Sequence, residues 1–309
     1  MTATAWWGAI AGVGLAIIVG AYLVAVADRA IASIVAGEPM RSSILAGPAR
    51  SVALGLVQSR TTTERPDGAA WALAPALYLG LAAAALAVVP LSETLLAADI
   101  ENGLVLFGAA QALAVIPVFL NGWSPNSILP LIGAFRFIAQ ALSYEMPNLL
   151  ALLSVSVPAS SLSIRDIVAS QHGLWNVVRL PLGLPLFLFA AASLAFWGPM
   201  NLPDGADLAG GTQAETSGLH LVAWRAGRAA MLVAAAAMGA AAFLGGWLGP
   251  GLPGWAWMVV KTLVLLVLLV GSRHVAARVR TERYVVISWA VLIPLALLNV
   301  MIAAVVVAL

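Results

Sequence analysis

The sequence predicts an all-α integral membrane protein of about eight transmembrane helices, with an interfacial amphipathic helix between the first and second. Three observations predict it. Of 309 residues, 62% are hydrophobic and only 9% are charged, whereas soluble domains carry about 25% charged residues. The apolar residues fall in runs of about 20, the length that crosses a bilayer as a helix. The arginines collect between alternate runs, as they do in loops on one side of a membrane.

The runs place spans at about 6–27, 69–91, 102–121, 131–157, 180–198, 219–243, 254–273 and 286–308, within one membrane domain covering 1–309. The first lacks the basic leader and short apolar stretch of a cleaved signal, so it is expected to stay as a span. The fourth contains Arg136 and Glu145 and is the most polar. Between the first and second spans, segment 28–68 is too polar to cross, and Val52, Leu54, Leu56 and Val57 interleave with polar residues. That pattern predicts a helix lying in the interface, with a plain cytoplasmic loop as the alternative.

Orientation follows from charge. Arg29, Arg41, Arg50, Arg60 and Arg65 lie between the first two spans, Arg136 begins the fourth, and Arg225 and Arg228 lie near the start of the sixth. Arg273, Arg278, Arg280 and Arg283 join the last two, while Arg165 and Arg179 are left for the other side. The positive-inside rule then predicts both termini on the outer side and the arginine-rich loops in the cytoplasm.

Several function classes are excluded. Without cysteine the chain can supply no disulfide, iron–sulfur cluster or thiolate metal site of its own. His172, His220 and His274 lack ligand spacing, and a net charge of +2 gives no basis for nucleic-acid binding. Phosphate-binding, zinc-protease and nucleophile-elbow motifs are absent. A free-standing secondary transporter would predict internal symmetry between halves, and no such repeat is visible.

Ionisable groups at membrane depth are costly and mark candidate sites. Glu145, in LIGAFRFIAQALSYEMPNLL, could hold or relay a proton, or could be a charge neutralised by Arg136 or a neighbouring protein. Lys261, in WAWMVVKTLVLLVLL, could snorkel to the outer interface, partner a buried acid or join a proton path. The loop NLPDGADLAGGTQAETSG carries Asp204, Asp207 and Glu215 with no basic residue, and either guides protons or is a solvated connector.

These residues carry a resemblance. NGWSPNSILPLIGAFRFIAQALSYEMP, residues 121–147, resembles a run shared by the quinone-site membrane subunit of complex I, the H subunit of bacterial NADH–quinone oxidoreductase. Trp123, Asn126, Arg136, Gln140 and Glu145 fall on the matching positions. FLGGWLGP at 243–250, Lys261, and Arg273, Arg278, Arg280, Trp289 and Pro294 fit the same family in register. Matching subunits of group 4 membrane hydrogenases and formate hydrogenlyases belong to it too.

The resemblance implies a subunit without redox centres and without activity of its own. It would form the membrane side of a quinone chamber and the start of a proton path. Arg29, Trp123, Asn126, Arg136, Gln140, Arg273, Arg278 and Arg280 would belong to the chamber, and Glu145, Asp204, Asp207, Glu215 and Lys261 to the path. Quinone would be the substrate. Iron–sulfur clusters would sit on peripheral partners, and antiporter-like and small linker subunits would flank the chain in the membrane.

The departures thin the acids. Asp28-Arg29-Ala30 stands for Glu-Arg-Lys, Gly47-Pro48 is what remains of Gln-Arg-x-Gly-Pro, and Ala195-Phe196 replaces Ala-Glu. The acid-rich loop shortens to Leu202–Leu208, Glu215-Thr216-Ser217-Gly218 loses an aromatic, Glu282 replaces an aspartate, and Ala290 a lysine. The hydrogenase-type assembly is therefore the alternative expectation.

Overall fold

The computed structural model describes residues 3–39 and 42–308, so Arg41 lies outside the described residues. Among these, every regular element is helical: α1 (Ala3–Val35), α2 (Ser43–Val57), α3 (Gly68–Ala87), α4 (Gly103–Ala112), α5 (Val115–Trp123), α6 (Ile128–Ala159), α7 (Ile164–Ala169) and α8 (Asn176–Arg179). They continue with α9 (Gly183–Leu194), α10 (Gly218–Phe243), α11 (Gly254–Val275), α12 (Thr281–Ile287) and α13 (Ile293–Ala308). A π-helical turn, Ser288–Leu292, joins the last two.

Among the described residues, six segments are long and apolar enough to cross a membrane: Trp7–Val35, Gly68–Ala87, Gly103–Trp123, Gly218–Phe243, Gly254–Val275 and Thr281–Ala308. The protein is thus a multi-pass, all-α membrane protein. Helices α6 and α9 take the places of the two other expected spans. At 32 residues α6 is long enough, but Arg136, Gln140, Glu145 and Asn148 dilute its apolar content. The fifth expected span, 180–198, is shortened to the 12 residues of α9, about 18 Å of helix against a hydrocarbon core of about 30 Å.

The core is built around α10, whose apolar window is 94% buried. Its alanines and glycines let neighbouring helices approach closely, the usual way to pack helices where lipid removes the hydrophobic drive between them. A Cβ on Gly227 would sit 3.1 Å from the Tyr78 ring, and one on Gly239 3.0 Å from Leu265 and 3.1 Å from Phe187. Large apolar residues such as Leu15, Ile18, Val264, Leu268 and Met301 point outward from α1, α11 and α13, as lipid-facing side chains do.

The expected helix in segment 28–68 forms as α2. Ile44, Pro48 and Gly55 are buried and share one stripe at helical spacing, while exposed Leu45, Val52 and Leu56 form a second apolar stripe beside it. Arg50 is exposed and falls away from both stripes.

The connections sort onto two faces. Asp67 N donates to Ser124 O at 2.8 Å and Val279 N to Pro199 O at 3.0 Å, and Thr61 and Ser217 hydroxyls meet at 2.9 Å. The 58–67, 124–127, 195–217 and 276–280 segments therefore share one face, here the arginine-rich face. On the opposite face Leu104 N donates to Leu162 O at 3.0 Å, and Gly245 N to Gln171 Oε1 at 3.0 Å.

Candidate functional site

The site grows from the 195–217 segment, which has too many Gly and Pro residues to continue a helix and folds instead as three 3₁₀ turns. Gly198, Gly210 and Gly211 take φ of +58°, +99° and +54°, values that favour glycine. Thus folded, the segment aims Asp204 inward and Asp207 outward.

Asp204, 9% exposed, accepts from Thr212 Oγ1 at 2.5 Å, from Gln213 Nε2, and from Arg228 Nη1 of α10 at 2.8 Å. Arg228 is equally buried. Its Nε donates to Ala195 O at 3.3 Å and its Nη2 to Phe196 O, and its guanidinium lies 4.1 Å over the Phe196 ring. A buried ion pair needs this many added hydrogen bonds to offset desolvation.

The same backbone collects further side chains. Tyr78 OH donates to Leu194 O at 2.9 Å, and Gln140 Nε2 donates to Ser193 O at 2.7 Å and Met200 O at 2.9 Å. Tyr284 OH donates to Ser193 Oγ at 2.8 Å. Side chains from α3, α6, α10 and α12 thus gather at the carboxyl end of α9, where helix carbonyls lack intrahelical partners. A cation at that end also suits the helix dipole. This capping is why α9 stops in mid-bundle.

Nearer the surface, Asp207 receives Arg136 Nη1 at 2.6 Å and Arg278 Nη1 at 2.5 Å. The Arg136 hydrogen bond, seconded by Arg278, holds the Asp207 carboxyl below its ordinary value of 3.8. Asp28, about two turns before the end of α1, binds Arg273 Nη1 at 2.9 Å and His274 Nε2 at 2.8 Å. Arg29 donates to Ser51 Oγ of α2 at 2.6 Å, and Glu215 accepts from Ser127 Oγ at 2.9 Å.

Of the chamber candidates, Arg136 and Arg278 are therefore brought together, and Arg29 follows Asp28 in α1, which Arg273 binds. Gln140 is buried beneath them. Trp123, 55% exposed, packs on Phe119 with ring centroids 5.8 Å apart. Asn126 is exposed with φ of +54°, and Arg280 is exposed at the start of α12.

Of the path candidates, Asp204, Asp207 and Glu215 lie on the arginine-rich face. Glu145 is half-buried and borders a lateral groove of about 410 Å³ whose other walls, including Val115, Phe119, Ile138 and Leu142, are apolar. Lys261 lies toward the opposite face, donating to Gly246 O at 2.9 Å and Leu248 O at 2.6 Å with its ammonium 4.2 Å over Trp175.

Residues that sequence reasoning leaves out include Tyr78, Asn121 and His220. His220 Nε2 meets Asn121 Oδ1 at 2.8 Å, and Asn121 Nδ2 donates to Thr212 O at 2.9 Å. This braces the acidic segment against α5 and α10. Their one available signal is that they are polar residues within apolar runs. Among the described residues no group of three or more His, Asp or Glu side chains is placed to hold a metal ion.

The NADH dehydrogenase family profile matches residues 44–304. The chain is 34% identical to an H subunit of NADH-quinone oxidoreductase from Geobacter metallireducens over 277 residues, 83% of this chain and 84% of that one. It is 32% identical to the corresponding H subunit of Brevibacillus brevis over 84% of this chain and 83% of the relative. The Pelagibacter ubique H subunit is 34% identical over 75% of this chain and 72% of its own length. A match across most of the chain, carried by relatives that are themselves H subunits of NADH-quinone oxidoreductase, makes this protein a member of the NADH dehydrogenase family, within its group of complex I membrane subunits.

Proposed function

We propose that the chain forms the membrane side of a quinone chamber and the first section of a proton path in a complex I-type assembly. The observation that carries this reading is the convergence of Arg136 and Arg278 on Asp207, on the same face as Arg29 and the Asp28–Arg273 pair. Guanidinium groups donate well to carbonyl oxygens and stabilise negative charge that develops there. A quinone headgroup has two such oxygens, and its reduction to quinol takes two electrons and two protons. The electrons come from iron–sulfur clusters on peripheral partners, because this chain has no cysteine. The protons are drawn from the acids on the same face. Asp204, Asp207 and Glu215 begin the path, and Glu145 lies farther along α6 at the groove. The carbonyl contacts of Lys261 favour anchoring of the opposite face over proton transfer.

The test uses the assembled complex in proteoliposomes. Arg280→Ala should lower quinone-dependent turnover and raise the apparent KM for quinone. An unchanged quinone dependence would remove Arg280 from the chamber. The hydrogenase-type reading is favoured by Phe196, which stands where the resemblance expects an acid and lies under Arg228. Co-purification with a nickel–iron hydrogenase large subunit, and no quinone-dependent turnover, would decide for it.

A further inference from the structure

We propose that Arg228 is a fixed-cation barrier on the proton path, separating the surface acids from the interior polar groups, with Asp204 setting the height of that barrier. The inference rests on the reading that this chain carries protons.

The geometry is specific. Arg228 and Asp204 are both buried and paired at 2.8 Å. On the surface side of the pair, Asp204 holds Thr212 and Gln213 of the acidic segment. On the interior side, Arg228 binds the carbonyls of Ala195 and Phe196. The preceding carbonyls, of Leu194 and Ser193, bind Tyr78 and Gln140, and Tyr284 reaches the Ser193 hydroxyl. Polar groups thus run inward from Asp204 through the guanidinium to Gln140, on the same helix as Glu145. Gln140 Oε1 and the nearby Asn201 Oδ1 are buried without a protein partner among the described residues, the kind of group internal water satisfies.

A guanidinium stays protonated inside a protein. It can neither accept nor pass on a proton, and in a medium of low dielectric it repels one approaching it. An arginine beside a narrow polar passage excludes protons in this way in water channels. The Asp204 carboxylate offsets part of that repulsion. Phe196, stacked on the guanidinium at 4.1 Å, adds bulk and no proton-carrying group. Removing the cation should therefore open the route, whereas removing the carboxylate should close it further. A purely structural ion pair predicts the same damage from either change.

The experiment measures passive proton entry into proteoliposomes holding the assembled complex, under an imposed pH gradient without electron donor, and then donor-driven proton translocation. R228Q should raise the passive rate by at least about tenfold over wild type, the rate effect of losing a modest electrostatic barrier. R228K, which keeps the charge, should stay tight. D204N should stay tight and lower donor-driven translocation. A tight R228Q, or a D204N that leaks as R228Q does, overturns the barrier. If R228Q fails to assemble, D204N alone decides, and a leaky D204N overturns it. Adding E145Q to R228Q should abolish the leak. A leak that persists keeps Arg228 as a barrier but refutes the path through Glu145.

Discussion

Arg136 and Asp207 meet at 2.6 Å, joining α6 to the acidic segment, and Arg278 ties the same carboxylate to the connection before α12. The pair gives stability a defined pH dependence. The Asp207 carboxyl lies below its ordinary 3.8 chiefly through the Arg136 hydrogen bond. A carboxyl depressed in the folded state contributes stability that is fully present above its unfolded value and is lost as pH falls through its folded value. The melting temperature of Asp207→Asn should therefore lie below wild type across neutral pH, with the gap closing below about pH 4. Because the side chain is 42% exposed, the gap should be small and should shrink in high salt. A gap unchanged by acid would mean that Asp207 acts through shape alone.

The capped end of α9 predicts a larger effect. Tyr78→Phe keeps the ring packed against Trp224 and Phe196 but leaves Leu194 O in the core without its donor. The cost should be about 1–3 kcal/mol, as for other buried groups deprived of a partner. Thermal unfolding in mild detergent would measure it. A variant as stable as wild type would show that Leu194 O finds another donor.

The spans are legible in the sequence because a bilayer demands long apolar runs. Lys261 stands out there as a lone lysine in such a run, though the run does not tell snorkelling from pairing with an acid or a place on a path. Three features are not legible, for geometric reasons. By sequence Arg136 is a possible partner for Glu145, but nine residues of α-helix turn about 900°, so the two side chains leave α6 on opposite sides. Arg136 instead takes Asp207 and leaves Glu145 at the groove. Arg228 looks like a basic residue near a span end, yet it is buried, because Asp204 and the carbonyl end of α9 lie beside it only after folding. The apolar run 180–198 overstates its helix for the same reason, since periodicity cannot show that side chains from four other helices will satisfy a mid-bundle carbonyl end.

Gly211 tests the backbone that aims Asp204 inward. Its φ of +54° disfavours any side chain, and a Cβ there would run into Pro203 O. Gly211→Ala should destabilise the folded protein by about 1–3 kcal/mol and lower donor-driven proton translocation by displacing Asp204. Gly251→Ala is the control, with a comparable φ of +81° but open space around its Cβ. It should show the conformational cost without the loss of translocation. Equal translocation defects in both would place the effect in general stability.

Lys261→Met separates anchoring from proton transfer. The substitution leaves Gly246 O and Leu248 O without their donor and removes the cation from the Trp175 face, so the melting temperature should fall. Protons moved per quinone reduced should stay at the wild-type ratio in whatever complex assembles. A lower ratio would put Lys261 on the path.

Glu145→Gln addresses the path itself. The carboxylate borders a groove of otherwise apolar walls, where a charge is costly to keep. If its role were structural neutralisation of a neighbour, glutamine would loosen the assembly and leave the ratio of protons to quinone intact. If it carries protons, glutamine, which is similar in shape but unable to take up and release a proton at neutral pH, should leave the assembly intact and depress that ratio. Measuring subunit content beside translocation in the same vesicles distinguishes the two. Wild-type translocation would end the assignment of Glu145 to the path, because the substitution removes the titratable group while changing little else in the groove.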